Sequence, residues 1–188
     1  NSPKESLANN NCPKYGNAGW TDCFGSKISK SGDKYVGEWK GGMPQGMGTY
    51  ISSNGTIYSG NFHKGYRDGK GSLIIKNGNK FLGDFKNGKL HGKGTYSFAN
   101  GDKYVGDFRH NKMHGKGTYS WADGTKFVGI FKNGKKNGKG AYTFVNGNQY
   151  IGEYKNDKRN GYGTAIYTTG IKFFGHWKEG KKSGKGTF

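Results

Sequence analysis

The feature that most constrains this chain is a repeat of fixed length. Tyr-Val-Gly at Tyr35 returns as Tyr58-Ser-Gly60, Phe81-Leu-Gly83, Tyr104-Val-Gly106, Phe127-Val-Gly129, Tyr150-Ile-Gly152 and Phe173-Phe-Gly175, each 23 residues after the last with no insertion. Seven copies in register are the mark of an array whose units bury their apolar faces by stacking on their neighbours. Within one unit Tyr35, Gly37 and Trp39 alternate with Val36, Glu38 and Lys40, a period of two that predicts a strand. A second strand is expected from Gly46-Met47-Gly48-Thr49-Tyr50, with Gly41-Gly42-Met43-Pro44 as the loop between them. The links to the next unit, Asn54-Gly55, Asn77-Gly78, Asn100-Gly101, Asp123-Gly124 and Asn146-Gly147, suit a tight hairpin turn.

The fold class that follows is all-β, an elongated single-layer twisted meander of stacked β-hairpins. At about 4.8 Å per strand, seven repeats should extend on the order of 70 Å. Composition agrees with a thin architecture. Only 30% of the chain is hydrophobic and 37 residues are glycine, while 15% are aromatic, so rings must supply the buried area that aliphatic packing does not. Strict periodicity argues against the disorder that low hydrophobicity and high charge would otherwise suggest.

Side-chain alternation sorts the columns by face. The aromatic face is expected to carry Tyr35, Trp39, Tyr50, Phe81, Phe85, Tyr96, Tyr104, Phe108, Tyr119, Trp121, Phe127 and Phe131, with Phe98 alongside, and glycine beside the rings leaves them room to lie across the sheet. The opposite, basic face is expected to carry Lys86, Lys93, Arg109, Lys116, Lys132, Lys139 and Lys155. By parity the apolar column Val36, Leu82, Val105, Val128, Ile151 and Phe174 shares that basic side.

The pattern Y-x-G-x-W/F, then G-x-G-T-Y, then an N/D-G turn, resembles the MORN (membrane occupation and recognition nexus) repeat from about Gly25 to Phe188. The resemblance implies a hairpin ribbon, and scaffolding, partner binding or membrane association with no catalysis by the repeats themselves. Departures stand at Leu73 and Ala165 in a ring column, at Ile130 and His176 in an often acidic column, and at Asn111 and Asp157 in place of a loop glycine.

The ends depart from the array. Residues 1–24 are expected to be a leader and a cysteine-containing cap, and residues 25–188 the array itself. One period back from Gly48 and Gly55 lie Gly25 and Gly32, so Phe24 to Gly32 is expected to be the second strand of a degenerate copy. The same step places Cys12 and Cys23 at framework positions of that half-copy. They are expected to form a disulfide that protects the sheet edge, which would mean an oxidising compartment; the alternative is two reduced buried thiols. Asn1 to Asn11 has the polar composition of a flexible leader, and no signal-peptide apolar core is present. At the far end, Phe188 stands in the place of Tyr50 with its strand incomplete, which leaves an edge for another copy to pair with or marks a longer array.

Catalytic signals are weak. His110 and His114 are four apart but are expected on a hairpin loop, as solvated residues, like His63, His91 and His176. Gly-Lys-Gly lacks the strand-loop-helix setting of a phosphate loop, and no carboxylate pair recurs. No enzyme, cofactor or metal site is expected.

With 31 Lys and Arg against 12 Asp and Glu, anionic partners are physically accessible. The leading expectation is a non-enzymatic scaffold, exported, periplasmic or extracellular, that takes a protein partner or extended peptide on its aromatic face. The alternatives are a polyanion or anionic membrane binder working through the basic face, cytoplasmic and membrane-peripheral, with nucleic acid a lesser candidate, or the targeting module of a larger enzyme. Lysine on a solvated face also serves solubility alone.

Overall fold

Alternation of buried and exposed positions over seven-residue stretches produces strands at the places the repeat marks. The computed structural model describes residues 11–13 and 19–187, and among them no helix occurs. Residues 1–10 of the expected leader and Phe188 lie outside the described residues. The chain divides into two compact units, Asn1–Lys89 and Leu90–Phe188.

The first unit is a meander of β1 (Cys23–Ile28), β2 (Lys34–Lys40), β3 (Met43–Ile51), β4 (Ile57–His63), β5 (Tyr66–Ile74) and β6 (Lys80–Lys86), each antiparallel to the next. The second is a meander of β7 (Lys89–Ser97), β8 (Lys103–Arg109), β9 (Lys112–Ser120), β10 (Lys126–Lys132), β11 (Lys135–Thr143), β12 (Gln149–Lys155), β13 (Lys158–Ile166), β14 (Lys172–Lys178) and β15 (Lys181–Thr187). The meander of β-hairpins is therefore the fold, and Phe24 does sit in a strand that pairs with the first full repeat.

Turn chemistry differs from the expectation at two points. The second strand of each repeat starts earlier than its glycine, at Met43 rather than Gly46, so the loop is only Gly41-Gly42. Both residues have positive φ, 57° and 71°, the type I′ geometry that matches strand twist. The Asn-Gly links form longer loops instead. In the first, Thr56 O accepts from Ser52 N at 2.8 Å, and Asn54 Oδ1 accepts from Thr56 N at 2.9 Å. Only Gly55, at φ 88°, is left-handed there, as in a three-residue loop closed by a glycine bulge.

Early strand starts are absorbed by a bulge in the β2–β3, β4–β5, β8–β9, β10–β11, β12–β13 and β14–β15 hairpins; in the first of them Gly37 pairs with Gly48 but Trp39 pairs with Pro44. Each turn then donates an amide to the bulge of the preceding repeat. Gly65 N reaches Pro44 O at 2.9 Å, Gly88 N reaches Arg67 O at 2.8 Å and Gly134 N reaches Met113 O at 2.8 Å. At the two departures the side chain adds a second bond. Asn111 Oδ1 accepts from Leu90 N, and Asp157 Oδ1 accepts from Lys136 N, both at 2.8 Å.

The core is a zigzag of edge-to-face rings. In the first unit Tyr35 meets Trp39 and Phe62, and Tyr58 meets Phe62 and Phe85, at centroid separations of 4.9–5.1 Å. In the second, Tyr104, Phe131, Phe127, Tyr154, Tyr150 and Trp177 continue the same pattern at 5.1–5.3 Å. Tyr35, Tyr58, Tyr104, Phe127, Tyr150 and Phe173 each lie over a cross-strand glycine pair, and Tyr58, Phe81, Tyr104, Phe127 and Tyr150 are fully buried although only one layer of sheet supports them.

Cys12 and Cys23 are disulfide-bonded. The bond ties the segment ahead of β1 to that strand, where Cys12 N donates to Phe24 O at 2.9 Å and Asn11 bridges Phe24 in parallel. Trp20 caps the zigzag by meeting Trp39 edge-on at 5.1 Å.

Candidate functional site

The zigzag divides the expected aromatic face into two sets. Tyr35, Trp39, Phe81, Phe85, Tyr104, Phe108, Phe127 and Phe131 are at most 5% exposed and serve as core. Tyr50, Tyr96, Tyr119 and Trp121 come from the ends of the second strands and remain partly accessible. In the second unit Tyr96, Tyr119 and Trp121 join others of the same columns into a continuous ladder. Tyr96 to Phe98 is 4.6 Å, Phe98 to Tyr119 5.7 Å, Tyr119 to Trp121 4.5 Å, Trp121 to Tyr142 5.3 Å and Tyr142 to Phe144 4.6 Å, all tilted by 41–56°. The column is interrupted at Leu73 and Ala165, both buried and neither a ring.

Hydrogen bonds through Asp102 fix Tyr119 within the ladder. Tyr119 donates its hydroxyl to Asp102 Oδ2 at 2.8 Å, and Asp102 Oδ1 accepts from Ala122 N at 2.9 Å. The backbone amide first, then the Tyr119 hydroxyl, hold the Asp102 carboxyl below its ordinary range, while burial and then that carboxylate raise the Tyr119 hydroxyl. In the first unit Tyr50, Ser52, Tyr58, Phe62, Tyr66 and Arg67 line a hollow of about 470 Å³.

Cations also stand on the aromatic side. Arg67 lies 5.6 Å over Tyr58 and 5.7 Å over Phe85, and Arg159 4.2 Å over Trp177. Lys136 lies over four rings, Tyr142 at 4.9 Å, Trp121 at 5.4 Å, Phe127 at 5.6 Å and Tyr154 at 5.7 Å. Burial lowers the proton affinity of the Lys136 amine, and Asp157 opposes that shift. Sequence reasoning missed these cations because it assigned their positions to the loop. The signal available was their spacing of 23 residues and an even separation from the glycine and ring columns, which places them on the ring side.

On the opposite face Lys86, Lys93, Arg109, Lys116, Lys132, Lys139 and Lys155 are all exposed. Lys93 pairs with Asp107 at 3.8 Å. Leu82, Val105, Val128, Ile151 and Phe174 are exposed at 46–65%. A shallow hollow of about 450 Å³ runs there over Gly129, Gly140, Gly152 and Gly163, walled by Val128, Ile151, Phe174, Lys139 and Tyr162.

The histidines differ from the expectation of solvated loop residues. His110 occupies a turn, but His91 and His114 lie in β7 and β9, half-buried, with Nδ1 buried and without a hydrogen-bond partner. The reason is again the early start of the second strands. Among the described residues no cluster of three or more His, Cys, Asp or Glu is arranged to hold a metal.

Periodic ring, glycine and turn positions all repeat together, and a family model for the MORN repeat matches residues 35–57, 58–80, 81–103, 104–126, 127–149, 150–172 and 173–188. The chain belongs to the MORN-repeat family. Its repeats are those of a scaffold family. Among solved structures this MORN array is similar to the SAS-4 (dCPAP) TCP domain of Drosophila melanogaster, in complex with a proline-rich motif of Ana2, at 14% identity over 82% of this chain and 90% of that one, TM-score 0.45. It is also similar to the TCP10 domain of Danio rerio CPAP, in complex with a peptide of Danio rerio STIL, at 14% identity over 80% and 82%, TM-score 0.28. Among curated proteins no relative matches.

Proposed function

We propose that this MORN array is a non-catalytic interaction scaffold whose second unit takes an extended segment of a partner protein along the accessible rings. One observation carries the reading. Six rings from three successive repeats form an unbroken ladder that is only partly covered, whereas the zigzag beside it is buried. Tyrosine and tryptophan presented on a rigid sheet offer large contact area at little entropic cost, the composition of interface hot spots. The test is selection of 16-residue peptides from a random displayed library against the full chain. Trp121→Ala and Tyr142→Ala should each weaken the selected peptides at least tenfold, and Lys116→Glu with Lys139→Glu should change affinity less than twofold. The opposite ranking would overturn the proposal.

A second reading rests on the exposed Val105, Val128 and Ile151 column beside Lys93, Lys116 and Lys139, an apolar and cationic surface suited to an anionic bilayer. Sedimentation with anionic and neutral liposomes over a salt series, with duplex DNA as the charge control, checks it. Binding to anionic liposomes above the DNA control supports this reading, and equal binding to both removes it. The Cys12–Cys23 disulfide supports an exported or otherwise oxidising location for the chain.

A further inference from the structure

The position on the aromatic side occupied by Lys136 is filled by Pro44, Arg67, Leu90, Met113, Arg159 and Lys182 in the other repeats. Where it is arginine, the charge has a partner. Arg67 Nη2 donates to Gly88 O at 2.9 Å, and Arg159 Nη2 donates to Gly180 O at 3.0 Å, each in the turn of the following repeat. Lys136 differs. Among the described residues its ammonium has no ion pair and no hydrogen-bonded oxygen, only ring faces.

Asp157, the carboxylate whose charge acts on the Lys136 amine, turns Oδ1 to the Lys136 backbone amide and forms no ion pair with the ammonium. A half-buried ammonium with no oxygen partner among the described residues, beside Trp121 and Tyr142 of the accessible ladder, is a receptor for an anion, because ring faces attract the charge without satisfying its N–H groups. Burial that lowers the affinity of this amine for its proton is the same desolvation that a bound carboxylate would offset.

The ladder also specifies backbone geometry. Rings of one column recur once per repeat, an advance of two strands or about 9.6 Å. A polyproline II chain completes one turn in three residues and about 9.3 Å, so every third residue would face the rings in step with the array. A β-extended chain returns a side chain to one face every two residues, about 6.8 Å, and falls out of step.

Resting on the peptide-docking reading above, we propose that the ladder of the second unit takes a polyproline II segment bearing acidic residues, one of whose carboxylates is seated on the Lys136 ammonium between Trp121 and Tyr142. Proline rings would lie on the exposed aromatic faces, and the carboxylate would complete the donors that the protein leaves open. The excess of basic over acidic residues favours the same partner by attraction at longer range.

The experiment titrates three labelled 15-residue peptides, (Pro-Pro-Glu)5, (Pro-Pro-Gln)5 and (Pro-Pro-Lys)5, into the full chain at 0.15 M salt. The glutamate peptide should bind at least tenfold more tightly than the glutamine peptide, and the lysine peptide should not bind. Lys136→Met should bring the glutamate peptide down to the glutamine value, whereas Trp121→Ala should weaken both peptides in proportion. In the unaltered protein, bound glutamate peptide should protect Lys136 from amine acylation, read by mass spectrometry, and leave Lys116 and Lys139 as reactive as before. Equal binding of glutamate and glutamine peptides overturns the carboxylate seat while leaving the ring reading in place. Protection of Lys116 and Lys139 in place of Lys136 overturns it in favour of the basic face. Failure of all three peptides to bind, while library-selected peptides still depend on Trp121, overturns the acidic polyproline partner alone.

Discussion

At the scale of single residues, the chain uses aromatic rings where other sheets use a second layer. Tyr104 lies over Gly106 and Gly117, its hydroxyl donating to Asp107 O at 3.0 Å and His114 O at 3.3 Å, with Phe108 and Phe131 edge-on at 5.0 and 5.1 Å. A Cβ on Gly117 would stand 2.5 Å from Tyr104 Cε2, and neither neighbouring ring leaves room to retreat. Gly117→Ala should therefore cost about 3 kcal/mol in urea unfolding, the upper end of overpacking. Gly134→Asn should cost under about 1 kcal/mol, because a Cβ there meets nothing within 4 Å and Asn111 already holds the equivalent left-handed turn position. Tyr104→Phe should cost about 1 kcal/mol for the lost hydrogen bonds, since Phe81 and Phe127 show that the ring fits without the hydroxyl. Much of this was legible beforehand, because Tyr35-x-Gly37-x-Trp39 states both the strand and the face its rings share. Which rings remain accessible was not legible. Parity puts Tyr104 and Tyr119 on one face, and only the packing of successive repeats separates a buried column from a half-open one.

Hairpins are the next scale, and here turn geometry sets register. Asp157 takes the left-handed conformation at φ 72° and returns a side-chain bond to the preceding repeat at Lys136 N. Asp157→Ala loses the bond and strains the backbone, so it should destabilise by about 2 kcal/mol. Asp157→Gly loses only the bond, so its cost should be about half as large, and comparing the two melting curves separates the contributions. In sequence this aspartate reads as a lapse from the glycine pattern, whereas in the fold it replaces flexibility with a hydrogen bond. The Asn-Gly pairs mislead for a related reason. They carry the residues of a two-residue type I′ turn, yet the longer loop lets Asn54 accept from Thr56 N while Gly55 alone turns left-handed. With the I′ turn inside the repeat, each second strand gains residues at its start, and this is why Lys136 falls on a strand among rings rather than in a solvated loop.

For the molecule as a whole, stability should be close to a sum of repeats and their interfaces, so perturbations stay local. Reducing Cys12–Cys23 should cost the first unit about 3 kcal/mol in the loop-entropy account. Hydrogen exchange should then quicken in β1 and β2 and remain unchanged in β9 to β13, and a uniform increase would refute the summed picture. Alkaline pH acts on both units together. Burial pushes Tyr58 and Tyr150 up to about 12 from 10.0 and lifts Tyr35, Tyr104 and Tyr154 further still. Between pH 10 and 12 the folded chain keeps protons that the unfolded chain releases, so stability holds below pH 10 and falls as pH rises through that window. The urea midpoint should be the same at pH 8 and 9 and lower at pH 11, with a smaller drop in the Tyr58→Phe, Tyr150→Phe double variant.

The amide that each turn hands to the bulge behind it comes from the same two places every time, Gly65 to Pro44, Gly88 to Arg67, Gly134 to Met113. A cut of 23 residues at any matching point would rejoin ends that already fit one another, and a duplication would do the same. Footprint length thus becomes a quantity that inheritance can count up or down in whole steps, with every junction between copies already solved.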